Sequence, residues 1–167
     1  MAIIKEIQNR RSVRDFKLDK IENFKVAEIL QAAQFAPTSR NNQATEFITV
    51  INQDTKKLIH EATEKKQDFV LSAPLLIIPV TDPDKTSHPV PDLSLASAHI
   101  FLQAEHLGLG AVWKNLRKPP ADAIKKILNA PESFILINII PVGYPAINPA
   151  PHNDTETDQH RLHTEKW

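Results

Sequence analysis

DLSLASAHIFLQAEHLGLG, residues 92–110, is the stretch around which the rest of the chain is arranged. Leu93, Leu95, Ala96, Ala98, Ile100, Phe101, Leu102, Ala104 and Leu107 cover nearly every direction of a helical wheel, while His99, Glu105 and His106 sit toward its C-terminal half. A helix that is apolar on most sides has to be buried on most sides. Asp92 is predicted as the N-cap and Gly108 as the C-terminal stop. The element is too short and too punctuated to cross a membrane. Ser94, Ala96, Ser97 and Ala98 form a run of small side chains against which another backbone can approach closely. Two readings follow: a second copy of the chain covers one face, or the helix is the central core of a monomer.

Outward from this helix, the bulk numbers bound the answer. At 167 residues the chain is expected to form one domain, 1–167, with a core of moderate size. Twenty Lys plus Arg balance twenty Asp plus Glu, giving a net charge of zero. No overall positive field draws such a chain onto nucleic acid or an anionic membrane, so neither partner is expected and any anion binding must be local. The absence of cysteine excludes disulfides, thiolate nucleophiles and Cys metal sites within it. That fits a cytoplasmic setting, and Met1 leads into IIKEIQNRR without the pattern of a signal peptide. The three glycines, Gly108, Gly110 and Gly143, leave no room for a GxGxxG turn or a Walker A loop, so side chains must hold any phosphorylated cofactor. The seven histidines show no metal-ligand spacing, and no metal is expected.

Periodicity assigns the flanking elements. Helices are predicted over 2–9, 23–35 and 55–65, and from Pro119 and Pro120 through Leu128. Strands are predicted over 46–52, 73–80 with prolines limiting its ends, 111–113 and 133–142. Residues 81–91 read as a loop and 114–118 as a basic turn. After Gly143 the chain is polar and proline-rich. A disordered tail is one reading, yet Tyr144 and Trp167 are odd residues to leave in water.

Two polar clusters interrupt this scaffold. Arg10, Arg11, Ser12 and Arg14 place three arginines and a hydroxyl within five residues, which is either an anion pocket of multidentate guanidinium donors or a solvated basic helix end. Ala36-Pro37-Thr38-Ser39-Arg40-Asn41-Asn42-Gln43 is dense in neutral hydrogen-bonding groups and lacks carboxylate and histidine. It suits the edge of a heterocycle better than acid–base chemistry, and it also reads as an ordinary turn.

Five pieces in order give the chain a family likeness: Arg10-Arg11-Ser12-x-Arg14, Ala36-Pro37-x-x-x-Asn41-x-Gln43, Ala73-Pro74, Gly108-Leu109-Gly110-x-x-Trp113 and Pro141-Val142-Gly143-Tyr144-Pro145. Together they resemble the nitroreductase family of FMN-dependent oxidoreductases, in particular its short members. The resemblance implies an α+β fold, with a central, mostly antiparallel sheet surrounded by helices and the long helix at a homodimer interface. The tail, 143–167, would wrap onto the partner subunit. It also implies FMN at that interface, NADH or NADPH as donor, and ping-pong hydride transfer through flavin N5 to a nitroaromatic, quinone or similar small-molecule acceptor. Arg10, Arg11, Ser12 and Arg14, with Arg161, would hold the phosphate end. Pro37, Thr38, Ser39 and Asn41 would approach from the other subunit, supported by Gln43. Gln67 would meet the pyrimidine edge, and Trp113, Lys114, Asn115 and Leu116 would run along the flavin, with a backbone N–H from Asn115 or Leu116 facing N5. No side chain is implied as a catalytic acid or nucleophile.

The sequence departs from the family pattern at Arg40, at Ala44-Thr45 and at Leu116-Arg117, which bears on the N5 contact and the substrate face. A dimeric flavin-binding or sensing module with little turnover, or a specialised flavoenzyme of the same family, are the alternatives. The short 81–91 loop lacks a long insertion over the pocket, so an open and poorly selective site is expected.

Overall fold

The computed structural model describes residues 3–64 and 67–167. Ala2 and Lys65, the outer limits drawn above for two helices, lie outside the described residues. The elements run α1 (Lys5–Asn9), α2 (Asn23–Gln34), β1 (Thr45–Val50), α3 (Gln53–Ala62), α4 (Phe69–Ser72), β2 (Leu75–Thr81), α5 (Pro89–His106), β3 (Gly110–Ala111), β4 (Lys114–Asn115), α6 (Lys118–Ile127) and β5 (Asn138–Gly143). Short 3-10 turns at Asp154–Glu156 and Gln159–Arg161 follow.

The strands form one sheet in the order β1-β2-β5-β3, with β4 also paired to β5, and all these pairings are antiparallel. Helices cover both faces, which explains why β2 is a nearly continuous apolar run: a strand buried on both sides has no polar alternation to show. Leu76, Ile78 and Val80 pack on one side with Ile59, Val70 and Ile124 of α3, α4 and α6. Leu75 and Ile77 pack on the other with Ile29, Ala33, Ile100 and Ala104 of α2 and α5. The α+β class and antiparallel sheet expected from the sequence are observed.

Several local expectations are revised. α5 begins at Pro89, not at Asp92, and its N-cap position is His88. Proline lacks the N–H that a first helical turn leaves unbonded, so the helix starts inside the proline-rich segment that reads as loop. Asp92 therefore lies in the first turn, 2% exposed, and turns its carboxylate outward from the helix to other partners. At the other end the Gly108 stop holds. Gly108 adopts φ +73°, its N–H donates to the Glu105 carbonyl at 3.0 Å, and Leu109 N–H reaches back to Ala104 at 2.8 Å. This double bond pattern caps the last carbonyls of a helix and requires a left-handed residue at that position.

Pro79 lies within β2 rather than at its limit; β5 pairs only with Leu75–Ile77, so at Pro79 the strand is flanked by β1 alone. The predicted 133–142 strand divides, because Ile135 bridges Thr81 before β5 begins at Asn138. The tail forms turns and remains exposed, with the Trp167 ring stacked on His163 at 4.3 Å.

The apolar surface of α5 separates into two stripes. Leu93, Ala96, Ser97, Ile100 and Ala104 face the sheet. Pro91, Leu95 and Ala98 are exposed and Leu102 is half-buried, at the three- and four-residue spacing of a second helical face. Ile3, Ile4 and Ile7 are likewise about half exposed, at 51%, 56% and 50%.

Candidate functional site

The arginine motif is extended backbone laid against β3. Ser12 bridges Ala111, and Val13 N–H donates to the Ala111 carbonyl at 3.0 Å. Extended residues alternate sides, so Val13 is buried while Ser12 and Arg14 are exposed. The approach is close. A Cβ on Gly110 would sit 2.4 Å from a Val13 methyl, and one on Gly143 would sit 2.6 Å from Pro74 and 2.9 Å from the Phe16 ring. Four of the five sequence pieces thus converge here, with the glycines serving as the clearances between them.

From Ala111 the chain runs on into a cavity of about 330 Å³ lined by Thr63, Glu64, Gln67, Trp113, Lys114, Asn115, Leu116, Arg117 and Pro120. The structure therefore brings together Gln67 and the whole Trp113–Leu116 segment. Across its rim, Arg117 Nη1 lies 3.7 Å from Glu64 Oε2. The two backbone candidates differ. Leu116 N–H donates to the Ile137 carbonyl at 2.9 Å, and Val112 N–H to Pro141 at 3.2 Å. Asn115 stands opposite Asn138 between such hydrogen-bonded positions, and by the alternation of an antiparallel ladder its N–H points away from β5. Of the two, Asn115 is the donor left to face a ligand, and Leu116 is committed to the sheet.

The third group lies elsewhere. Pro37 to Gln43 precedes β1, at the opposite edge of the sheet from β3. The loop is tied to the first turn of α5: Ser39 N–H donates to Asp92 Oδ1 at 2.9 Å, and Thr86 Oγ1 donates to Asp92 Oδ2 at 2.6 Å. His88 Nδ1 is 3.2 Å from Ser39 Oγ, and Gln43 N–H donates to Thr38 Oγ1 at 3.1 Å. Arg40, Asn41 and Gln43 take φ of 53°, 56° and 50°. Asn tolerates that region and the others do so at a cost, and strain of this kind gathers where a loop must present groups in one arrangement.

Consequently the predicted residues occupy separate places. The cavity follows β4 back alongside the middle of α5, where the Trp113 ring lies 6.4 Å from the Phe101 ring and Asn138, opposite Asn115, donates to Ser97 Oγ, whereas the loop is held at the N-terminal end of α5 and the arginine motif at its C-terminal end. An 18-residue helix makes that separation roughly 27 Å. Asp92, Thr86 and His88 were not identified as loop anchors from sequence, since the only signal at Asp92 is that of a cap.

Two arginines behave differently from the others. Arg11 is bound within its own chain to Glu156, Ala150 and Pro151. Arg161 carries an exposed side chain that pairs with Asp158 at 3.5 Å. A larger concavity, about 1010 Å³ and lined by Leu18, Ile21, Val26, Leu30, Leu71 and Leu75 among others, contains none of the predicted residues. Its walls are mainly aliphatic, with Lys20, Asn23, Gln53, Lys56 and Asp68 among the polar groups that line it. Among the described residues no group of three His, Asp or Glu could hold a metal ion, and no helix is long and apolar enough to cross a membrane.

Comparison with known proteins gives a consistent result. The model of the nitroreductase family matches residues 7–144. A protein of Methanothermobacter thermautotrophicus, provisionally named an NADH dehydrogenase/NAD(P)H nitroreductase, is 33% identical across 100% of this chain and 88% of its own length. The FMN reductase [NAD(P)H] of Bacillus subtilis is 24% identical over 86% of this chain and 66% of its own. The solved FMN-dependent nitroreductase of Clostridium difficile R20291 superposes with a TM-score of 0.93 at 29% identity, covering 99% of this chain and 100% of that one.

Proposed function

The chain belongs to the nitroreductase family, and from that premise we propose that it is an FMN-dependent NAD(P)H oxidoreductase whose site is completed by a second copy. The observation that carries the dimeric part is that the Pro37–Gln43 loop and the arginine motif lie at opposite ends of α5. Two copies related by a twofold axis across the open Pro91, Leu95, Ala98, Leu102 stripe set the loop end of one helix beside the arginine end of the other. A twofold interface is isologous, so the same juxtaposition occurs twice. It also covers apolar surface that a lone chain leaves in water.

The residues present fit FMN. Ser12 and Arg14, exposed on an extended segment next to half-buried Arg10, offer a hydroxyl and guanidinium donors to a phosphate. Gln67 and the outward N–H of Asn115 offer polar contacts inside a cavity whose apolar walls are Trp113, Leu116 and Pro120. Bound there, FMN would supply the redox chemistry, a ping-pong transfer of hydride from NADH or NADPH and of electrons to a nitroaromatic, quinone or similar acceptor. The chain's own part is to bind, orient and stabilise charge. Basic groups at one end and a backbone donor at the other favour a more negative ring. Leu116 holds β4 on β5, so that Asn115 keeps its orientation. The Thr38 to Asn41 loop of the partner subunit forms the facing wall.

The first test is the visible spectrum of the purified protein, with anaerobic addition of NADH and then NADPH. A flavin band that bleaches supports the oxidoreductase reading and selects the donor; one that persists favours the flavin-binding module. No flavin after incubation with FMN overturns both. Composite sites are tested by mixing two inactive variants, Arg10→Ala with Arg14→Ala in one chain and Asp92→Ala in the other. Recovery of activity on refolding the mixture is expected, and two chains that stay inactive together while dimeric would refute the shared site.

A further inference from the structure

Arg11 stands apart from Arg10 and Arg14 because its guanidinium is already saturated. Nε donates to the Ala150 carbonyl at 2.9 Å, Nη1 to Glu156 Oε2 at 2.9 Å, and Nη2 to Glu156 Oε1 at 2.6 Å and to the Pro151 carbonyl at 3.1 Å. These engage most of the five N–H groups that a guanidinium possesses. Glu156 in turn receives Asn153 N–H at 3.2 Å and lies 2.7 Å from His152 Nδ1. The other ring nitrogen of His152 faces the Arg10 carbonyl at 3.1 Å, while His152 N–H donates to the Gln8 carbonyl at 2.7 Å. Both ring nitrogens thus lie against acceptor oxygens.

We propose that Arg11, Glu156 and His152 form a latch that fastens the C-terminal segment to the end of α1, and that Arg11 is a positioning residue for the anion motif, not one of its phosphate ligands. The fork-to-carboxylate arrangement is the one a guanidinium would use toward phosphate. A phosphate taking Arg11 would have to displace a carboxylate and two backbone carbonyls together. Exposed ion pairs ordinarily contribute little, but a bidentate pair embedded in a network is the exception. Through His152 the latch holds the backbone carbonyl of Arg10, and through Arg11 it holds the residue before Ser12. The orientation of the motif is therefore coupled to the tail. Fastening of the tail stands on the geometry alone; the consequence for phosphate rests on the FMN reading above.

The test uses the full chain and the variants Arg11→Gln, Glu156→Gln and the charge reversal Arg11→Glu with Glu156→Arg. Amide exchange over 150–157 reports the latch, and the ratio of FMN to riboflavin affinity reports the phosphate contact, since riboflavin lacks the phosphate. Each single variant is expected to speed exchange at 150–157 on the order of tenfold, the effect of losing one good charge-assisted contact. Each should also lower the FMN-to-riboflavin ratio, and the charge reversal should restore both readings toward wild type. Exchange over β2 serves as the control for folding, and Arg11→Lys, which keeps the charge but not the fork, should fall between wild type and Arg11→Gln. If Arg11→Gln lowers the ratio while Glu156→Gln leaves or raises it, and the reversal does not recover, Arg11 is a phosphate ligand and the proposal fails. Unchanged exchange in both single variants overturns the latch itself. A wild-type protein that binds neither flavin refutes the FMN reading, while the exchange data still decide whether the tail is latched.

Discussion

The two ends of α5 are held by opposite means. At the C-terminal end, side chains close on glycine backbone: Val13 fills the place of the missing Cβ on Gly110, and Phe16 and Pro74 close on Gly143. At the N-terminal end one buried carboxylate, Asp92, receives the Ser39 N–H and the Thr86 hydroxyl, and the loop it holds carries three left-handed residues. Packing of this kind fixes the arginine motif by volume. The loop is fixed by hydrogen bonds in a partly dry site, chiefly through Asp92, with His88 Nδ1 also 3.2 Å from Ser39 Oγ.

The contrast predicts where damage is greatest. Gly110→Ala places a methyl within 3 Å of three Val13 carbons, and overpacking of this severity should cost about 3 kcal/mol. For a chain of this length that lowers Tm by roughly 6–12 °C, measurable by thermal unfolding. Val13→Ala removes two of the three clashing atoms, so the double variant should lose less than the sum of the single losses. Additive losses would break the account of the arginine end as packing.

Asp92→Ala comes next. It leaves two donors without their acceptor, a loss of about 2 kcal/mol, and the change should concentrate in residues 37–43. Asp92→Asn retains an oxygen toward Ser39 N–H and should lose much less. Amide exchange at Ser39 separates the cases; equal exchange in wild type and Asp92→Ala would show that the loop holds itself.

Gly108→Ala sharpens the comparison from within the C-terminal end. A Cβ there meets nothing within 4 Å, yet φ is +73°, so only the left-handed backbone opposes it. The expected cost is about 1 kcal/mol, or roughly 2–4 °C in Tm, with Gly108→Asn milder. A loss as large as that of Gly110→Ala would mean that clearance is not what distinguishes the two glycines.

Much of this was legible in the sequence for reasons visible in particular residues. β2 and α5 announce themselves because burial on both faces removes polar alternation, and Gly108 ends its helix by a local rule. The start of α5 was missed because Pro89 and Pro91 read equally as loop and as first turn. Asp92 as loop anchor was not legible at all, since its partners Ser39 and Thr86 are 53 and 6 residues away and no local spacing encodes them. The same holds for Arg11 and Glu156, 145 residues apart; a motif of three arginines looks uniform until the tail is seen to occupy one. That Leu116 and Asn115 differ follows from strand register, which a two-residue strand does not reveal in sequence.

The most local expected effect belongs to the tail, and its sign follows from Glu156. Arg11 first, then His152, hold its carboxyl down from 4.5 to about 2. A carboxyl with a depressed folded-state value stabilises fully above its unfolded value and loses that contribution as pH falls through the folded one. Protection of amides 150–157 should therefore decline between about pH 4.5 and 2, relative to β2 in the same sample, and Glu156→Gln should remove the decline. Arg11 and Glu156 side chains are 30% and 36% exposed, so solvent screens the pair and the decline should be shallow. Added salt should weaken it further. A tail whose protection does not respond to pH in this window would be held by its backbone contacts to Gln8 and Asp15 and not by the ion pair, which would leave the arginine end of the molecule as a matter of packing throughout.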